Sequence, residues 1–429
     1  AACHRHGIQA PIYVTVVWDE HAGTTHPEWR QVNRDGQLVG RPPLSGEWGW
    51  QWLCMNSPYT DYVAAQTEEI CRNYPVDGIF FDIVMQTKPG CVCKWCLQSM
   101  QAAGLDPAND ADLEQHSLMV ERAFMRRMTA LVHSLQPKAR VFYNSRLRLD
   151  PSAQTGMRGE ADCFTHWEIE SLPSGGWGYN HFPLFARYYQ TLGKEFLGMT
   201  GRFHLSWADF GGLKPFAALK YEVCQMLAYG AQCSVGDQLH PRGRLDPVVY
   251  DLIGRVYEYA EACEPWTAGA TPVSQIAVLR SGADAGVYRE EPGGTNDGVT
   301  RLLSHLKHQF DFLDPDMRFE KYELVILPDA VRVDAKLARR LQTYLARGGN
   351  VIFTGTSGLD DALQPLLPEM RARVEGESPY QTTYIRFGPA VAEGVPATDH
   401  VMYERGIRMK PARGAQCLAE VIEPYFDRN

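Results

Sequence analysis

The chain has 429 residues, 45% of them hydrophobic, and a formal net charge of -9 at pH 7. No block of Lys and Arg offsets that charge, which argues against a nucleic acid or an anionic membrane surface as partner. No apolar run approaches the roughly 20 residues needed to cross a bilayer, and the length suits two domains, one of which could be a large α/β barrel.

The opening AACHRHGIQAPIYV reads as the end of a helix feeding a strand. The chain is accordingly expected to be a trimmed domain pair of a longer protein, with its true N-terminus elsewhere. From residue 11 to about 265, short apolar runs alternate with amphipathic stretches. The predicted strands are 11–18, 77–84, 139–146, 161–170, 195–203 and 232–239. Continuous apolar strands separated by helices point to a parallel sheet covered on both faces. Six such units fit a (β/α)8 TIM-type barrel that lacks its first two strands in this chain, with PIYVTVVW as the third. The long polar segments 19–56 and 204–213 follow strand ends, where a barrel keeps its active-site loops.

A second domain is expected from near Pro272. It alternates SQIAVLRS, a helix over 298–313, YELVILPD, a helix over 334–347 and NVIFTGTS. This βαβαβ order predicts a flavodoxin-like α/β domain. No G-x-G-x-x-G follows its first strand, so dinucleotide binding is not indicated. The expected division is a barrel over 1–268, the flavodoxin-like domain over 269–375 and a β-rich C-terminal segment over 376–429.

The strand ends carry the chemistry. In order they present Trp18, then Asp82, Asn144, the His166–Glu168 stretch, Arg202 with His204, and Asp237 with His240. Acids with His, Arg and aromatics, and without a Ser–His–Asp or Cys–His arrangement, suit glycoside hydrolysis. That reaction needs one carboxylate to attack or to activate water and another to protonate the leaving oxygen. Asp82, closing the apolar run GIFF, is the candidate for attack, against the plainer reading of an acid that caps its loop. Glu168 is the candidate acid/base, with Glu170 two residues away as its rival. Asp237 reads as a substrate or supporting ligand. Trp18, Asn144, His166, Trp177, Tyr179, Arg202, His204 and His240 are the expected sugar-contacting residues. No cofactor is needed for such catalysis.

DGIFFDIV resembles the family 29 α-L-fucosidase strand that ends in the nucleophilic Asp, and HWEIESLPSGGWGYN is similar to that family's WE…WGY segment. Together with MTGRFHLSW, GDQLHPRG and HGIQAPIYVTVVWDE, the chain looks closer still to family 151 and related hypothetical glycosidases. The resemblance implies a fucosidase-like barrel joined to a domain like the β-galactosidase trimerisation domain. It also implies a retaining α-L-fucosidase with Asp82 as nucleophile, an oligosaccharide or glycoside substrate, and a homo-oligomer, for which a trimer is the form the domain suggests. The competing readings are a β-galactosidase-like glycosidase and an inactive sugar-binding barrel.

The cysteines number eleven. Cys91, Cys93 and Cys96 form a C-x-C-x-x-C cluster too tight to pair within itself, which favours a reducing, cytoplasmic setting or a metal. Three thiolates can fill three corners of a zinc tetrahedron. Cys54, at the start of the preceding helix, is the candidate fourth ligand. The two halves resemble family 42 β-galactosidases, where a Cys before an SP-Y helix joins such a loop. The implied zinc is structural; the alternative is four reduced thiols lining a loop.

Overall fold

The computed structural model describes residues 2–40, 49–148, 150–151, 154–282 and 294–426. The chain divides into two compact units, one built on residues up to 271 and the other from 272 onward, apart from a short exchange at 149–151.

The first unit begins with α1 (Ala2–Arg5), β1 (Ile12–Thr15), α2 (Glu20–Thr25) and α3 (Tyr59–Asn73). It continues through β2 (Gly78–Asp82), α4 (Lys94–Ala103), α5 (Asp110–Leu135) and β3 (Arg140–Tyr143). The remaining elements are β4 (Trp167–Glu170), α6 (His181–Tyr189), β5 (Phe196–Gly201), α7 (Phe216–Ala228), β6 (Gln232–Gly236) and α8 (Pro247–Thr267). The strands form two parallel sheets, β1-β2-β3 and β4-β5-β6. Residue 165 joins them, because its amide donates to Val141 O (3.1 Å) and its Oγ1 accepts from Val141 N (2.9 Å). Six parallel strands thus run as one wall, the barrel-type arrangement expected from six β–α units.

Alternation along each strand decides what faces where. Val14, Ile79, Phe81, Val141, Tyr143, Trp167 and Ile169 are all buried. Phe81 stacks on Tyr143 at 5.1 Å and meets Phe124 of α5 edge-on at 6.3 Å. The opposite parity carries Tyr13, Phe80, Asp82, Phe142, Glu168 and Glu170, and this face holds the polar chemistry. Helix ends follow their caps: Asn109 accepts from Ala111 N and Asp112 N at the start of α5, and Asp246 caps α8 with Pro247 in its first turn. The predicted strand 161–170 is shorter than expected, because Met157–Cys163 forms a 3-10 turn and only Trp167–Glu170 pairs.

In the second unit β7 (Ile276–Leu279), α9 (Thr295–His305), β8 (Phe310–Leu313), β9 (Leu324–Leu327), α10 (Ala335–Ala346) and β10 (Asn350–Phe353) form a parallel sheet ordered β10-β9-β7-β8. The predicted helix 298–313 is corrected here. Helix α9 ends at His305, Lys307 takes a left-handed φ of 59°, and FDFL then pairs with β7 as a strand. The alternating aromatics Phe310 and Phe312 are fully buried in that strand, and burial overrides the helical pattern. Beyond lie β11 (Ala372–Glu377), β12 (Thr383–Phe387), β13 (His400–Met402), β14 (Ile407–Pro411) and β15 (Ala419–Ile422), paired antiparallel as β11-β14 and β13-β12-β15. Among the described residues no helix is long and apolar enough to cross a membrane.

One buried ion cluster fixes the chain behind the first sheet. Arg146, 2% exposed, pairs with Glu121 and Glu160 and donates to Val84 O at 3.1 Å. Burial acts to raise the Glu121 carboxyl, but Arg146 and Arg148 outweigh it and hold that carboxyl below its usual range. A carboxylate depressed on folding contributes stability that is complete above its unfolded value and is lost as pH falls through the folded one. Stability should therefore be level above about pH 5 and decline below about pH 4. Arg146→Met should cost about 3–5 kcal/mol in urea unfolding, since it removes the shared buried partner of two carboxylates and leaves Glu121 to Arg148 and Glu160 to Arg122; a loss below about 1 kcal/mol would show that the cluster is solvated.

Candidate active site and thiol cluster

Asp82 closes β2 with three donors on its carboxylate. Tyr13 Oη donates to Oδ2 at 2.5 Å, and Asn144 Nδ2 and Ile83 N donate to Oδ1 at 3.0 and 2.8 Å. An ionised carboxylate only accepts, so three donors suit the charged form. Desolvation around its hydroxyl, and next the Asp82 charge, push the Tyr13 phenol above its usual range although the residue as a whole is 59% exposed, so its proton stays in place as donor. The chain turns sharply after each of these strand ends. Ile83 has φ 57° and Ser145 φ 64°. A left-handed backbone is costly for a β-branched residue. At Ile83 this conformation accompanies the amide contact to the preceding carboxylate.

Asn144, 7% exposed, also donates through Nδ2 to Glu170 Oε2 at 3.0 Å. One amide nitrogen therefore serves both carboxylates, and the two bonded oxygens cannot lie more than about 6 Å apart. The other oxygen of Glu170 accepts from Trp207 Nε1 at 2.9 Å. Glu168 shares the face of Glu170 one pleat earlier on β4. Its Oε1 lies 2.8 Å from His166 Nε2, and the His166 ring packs on Phe142 at 5.9 Å. Asp82, Asn144 and Glu170 are thus brought together, while Glu168 and His166 pair with each other.

The remaining candidates lie further along the loops. Arg202 is 2% exposed; its guanidinium bonds Asp237 Oδ1 at 2.8 Å and Phe210 O at 3.1 Å, so this pair ties the segments after β5 and β6. Trp177 packs on His181 at 5.0 Å, and Tyr179, 42% exposed, meets Tyr221 edge-on at 5.4 Å. His204 is exposed, and the His240 ring faces Phe210 at 4.9 Å. Trp18, half-buried, stacks on Trp50 at 6.1 Å beyond the end of β1. Sequence reasoning missed Tyr13 and Trp207 as partners of the carboxylates. Strand parity offered a signal for Tyr13, which lies on the same face of β1 as Thr15, the residue paired with Asp82.

The thiols of Cys54, Cys91, Cys93 and Cys96 are buried and converge, with all four sulfurs within 4.8 Å of one another. Cys54 Sγ is 3.5 Å from Cys96 Sγ and 3.6 Å from Cys93 Sγ. These spacings are too long for a disulfide and close to the edge of about 3.8 Å that a tetrahedron with Zn–S bonds of about 2.3 Å requires. N–H groups surround the sulfurs: Val32 N and Cys93 N reach Cys91 Sγ at 3.4 Å, and Asn56 N reaches Cys54 Sγ at 3.4 Å. Such donors offset the negative charge of a thiolate-bound metal. The four residues could hold a zinc ion, and they would leave no coordination position open for water. Thr87 N donates to Gln31 Oε1 at 2.7 Å and Val92 N to Val32 O at 2.8 Å, so the cluster clamps the loop that follows Asp82.

The first unit has the architecture of a glycosidase (β/α) barrel, and the second is a flavodoxin-like α/β unit. Residues 1–83 match the family described as hypothetical glycosyl hydrolase 6, and residues 301–369 match the β-galactosidase trimerisation domain. Among solved structures, the chain is similar to α-L-fucosidase isoenzyme 2 from Paenibacillus thiaminolyticus, with 35% identity and a TM-score of 0.90, covering 100% of this chain and 64% of that one. The chain thus spans just under two thirds of that fucosidase. The fold is shared with the β-galactosidase from Rahnella sp. R3, at 16% identity and a TM-score of 0.75, covering 100% of this chain and 74% of that one. It is shared also with the β-galactosidase from Bacillus circulans sp. alkalophilus, at 13% identity and a TM-score of 0.74, with the same coverage. No curated protein matches the chain.

If the thiols bind zinc, protein prepared without chelator should contain one zinc per chain by elemental analysis. Cys93→Ser should then lower the melting midpoint while the folded fraction keeps its turnover. Stoichiometric absence of zinc would leave the cluster as reduced thiols.

Proposed function

We propose that the protein is a retaining exo-acting glycosidase, with α-L-fucosides as its substrate class. Asp82 is the nucleophile and Glu170 the acid/base, in preference to Glu168. The observation that carries this reading is the shared Asn144 amide, which keeps the nearest oxygens of the two carboxylates within about 6 Å of each other. Retaining enzymes hold their carboxyl groups about 5–5.5 Å apart, and inverting enzymes about 6.5–9.5 Å. The fucoside assignment draws on the 35% identity to the Paenibacillus fucosidase. In this reading residues 1–268 form the catalytic domain, 269–375 the trimerisation-like domain and 376–429 a β-rich segment.

The roles divide by environment. Asp82, with three donors and no general acid function to serve, attacks the anomeric carbon. Glu170 protonates the departing oxygen and then draws a proton from water, so that the sugar leaves with its original anomeric configuration. Asn144 keeps both carboxylates in register. Trp18, Trp177, Tyr179, His204 and His240 supply aromatic faces and donors around the rim, while Arg202 and Asp237 brace it.

A panel of aryl fucosides and galactosides of both anomers tests the substrate class. Hydrolysis of the α-L-fucoside alone is expected, and a preference for a β-galactoside would replace the assignment. Asp82→Asn should lower kcat by at least roughly a thousandfold with the fold retained. Glu170→Gln should lose roughly a hundredfold to ten-thousandfold on alkyl leaving groups and far less on activated ones; the same profile in Glu168→Gln instead would move the acid/base to Glu168.

The match of residues 301–369 to a trimerisation domain supports a homo-oligomer. Sedimentation across a dilution series should show a trimer at micromolar concentration. A monomer throughout would remove that assignment.

A further inference from the structure

Glu170 has a partner that no barrel strand supplies. Its Oε1 accepts from the indole of Trp207, which lies on the segment between β5 and α7. That segment folds back on itself as a hairpin. Phe203 bridges Leu213, His204 N donates to Gly212 O at 3.1 Å, and Lys214 N donates to Arg202 O at 3.0 Å. Ala208, next to Trp207, takes a left-handed φ of 69°, and Ser206 N donates to Asp209 Oδ2 at 3.2 Å.

Two glycines make the seat for the indole. Gly201 and Gly236 are register partners on β5 and β6. A Cβ at Gly236 would stand 2.3 Å from Trp207 Cη2, and one at Gly201 3.5 Å from the same atom. The ring occupies space that any side chain at Gly236 would claim, so β6 is cut away where the indole rests, and Gly201 across from it lies in ordinary contact with the ring.

The hairpin is anchored at its far end by a buried ion pair. Lys214 Nζ donates to Glu222 Oε2 at 2.6 Å and to Thr200 Oγ1 at 2.7 Å, and Thr200 Oγ1 donates to the same Glu222 oxygen at 2.6 Å. Lys214 and Glu222 are each 2% exposed and Thr200 is fully buried. Burial pushes the Lys214 ammonium below its usual range, with Glu222 opposing that shift. A pair so enclosed exchanges little with water and holds its loop in one place.

We infer that Trp207 is a positioning residue for the reaction: its indole N–H, seated on Gly201 and Gly236 and carried by the Lys214-anchored hairpin, sets the orientation of the Glu170 carboxyl. This rests on the reading of Glu170 as the acid/base. A Trp that served only as a sugar platform would act through an open ring face. Here the N–H is committed to the carboxylate, and the ring edge is committed to the glycine seat.

Trp207→Phe keeps a ring and removes the donor, and Gly236→Ala keeps the donor and displaces the ring. Both should lower kcat on alkyl α-L-fucosides by roughly tenfold to a hundredfold, because the carboxyl that must face the leaving oxygen loses its fixed orientation. Both should leave KM within roughly twofold and lose little on a dinitrophenyl fucoside, whose leaving group needs no acid. The double variant should be no worse than the poorer single one. A raised KM with unchanged kcat in Trp207→Phe would overturn the inference in favour of a platform. Infrared difference spectra against Glu170→Gln isolate the Glu170 carboxyl band without reference to turnover. That band should shift in both variants, and an unshifted band in both would overturn the inference as well. A shifted band together with undiminished hydrolysis by Glu170→Gln would sink the acid/base reading and leave the Trp207–Glu170 contact standing.

Discussion

The amide of Asn144 is the contact on which the rest of the site depends. It is a neutral group placed between two carboxylates, with one nitrogen donating to both. Two carboxyl groups this close repel each other when both are charged, and a donor between them is what makes the spacing tolerable. In the proposed reaction that spacing favours retention, because no water fits between a nucleophile and an acid/base at retaining distance. Asn144 can occupy that point only because β3 lies between β2 and the strand carrying Glu170, and because the chain turns through Ser145 directly after it.

Much of the first unit holds that arrangement still. On one side, Arg146 draws Glu121, Glu160 and the Val84 carbonyl into one buried cluster behind the Asp82 loop. Further along that loop, the four thiols gather three chain segments, those around residues 32, 54 and 91–96. On the other side, the buried Lys214–Glu222 pair fixes the hairpin that delivers Trp207. None of these groups touches the reacting carbons in the proposed reaction. Each removes a freedom that a loop would otherwise have, which is how a barrel places side chains from separate strands to within a fraction of an ångström.

The parts of this architecture that sequence made legible share a physical cause. Apolar runs such as GIFFD form strands wherever both faces are covered, and an acid closing such a run is conspicuous. The cysteine spacing, with Cys54 just ahead of the preceding helix, was legible because few arrangements of four thiols are compact. What escaped was long-range. Glu168 and Glu170 have the same parity, so only the neighbouring strands distinguish the one beside Asn144 from the one beside His166. Trp207 lies in a polar loop, and its seat depends on Gly236 of β6, 29 residues later in the chain than the Trp. The segment FDFL read as the end of a helix because its hydrophobic spacing is ambiguous over four residues; its pairing with β7 decides the matter.

The central claim, that Asp82 attacks the anomeric carbon at retaining distance from Glu170, is tested most directly by trapping the covalent intermediate. The protein would be incubated with an activated 2-deoxy-2-fluoro fucosyl donor, digested and mapped by mass spectrometry. The account predicts one fluorofucosyl group per chain, attached through the Asp82 carboxylate and absent from Asp82→Asn. Label on Glu170, on Glu168 or on Asp237, or turnover that inverts the anomeric centre without any labelled peptide, would contradict it.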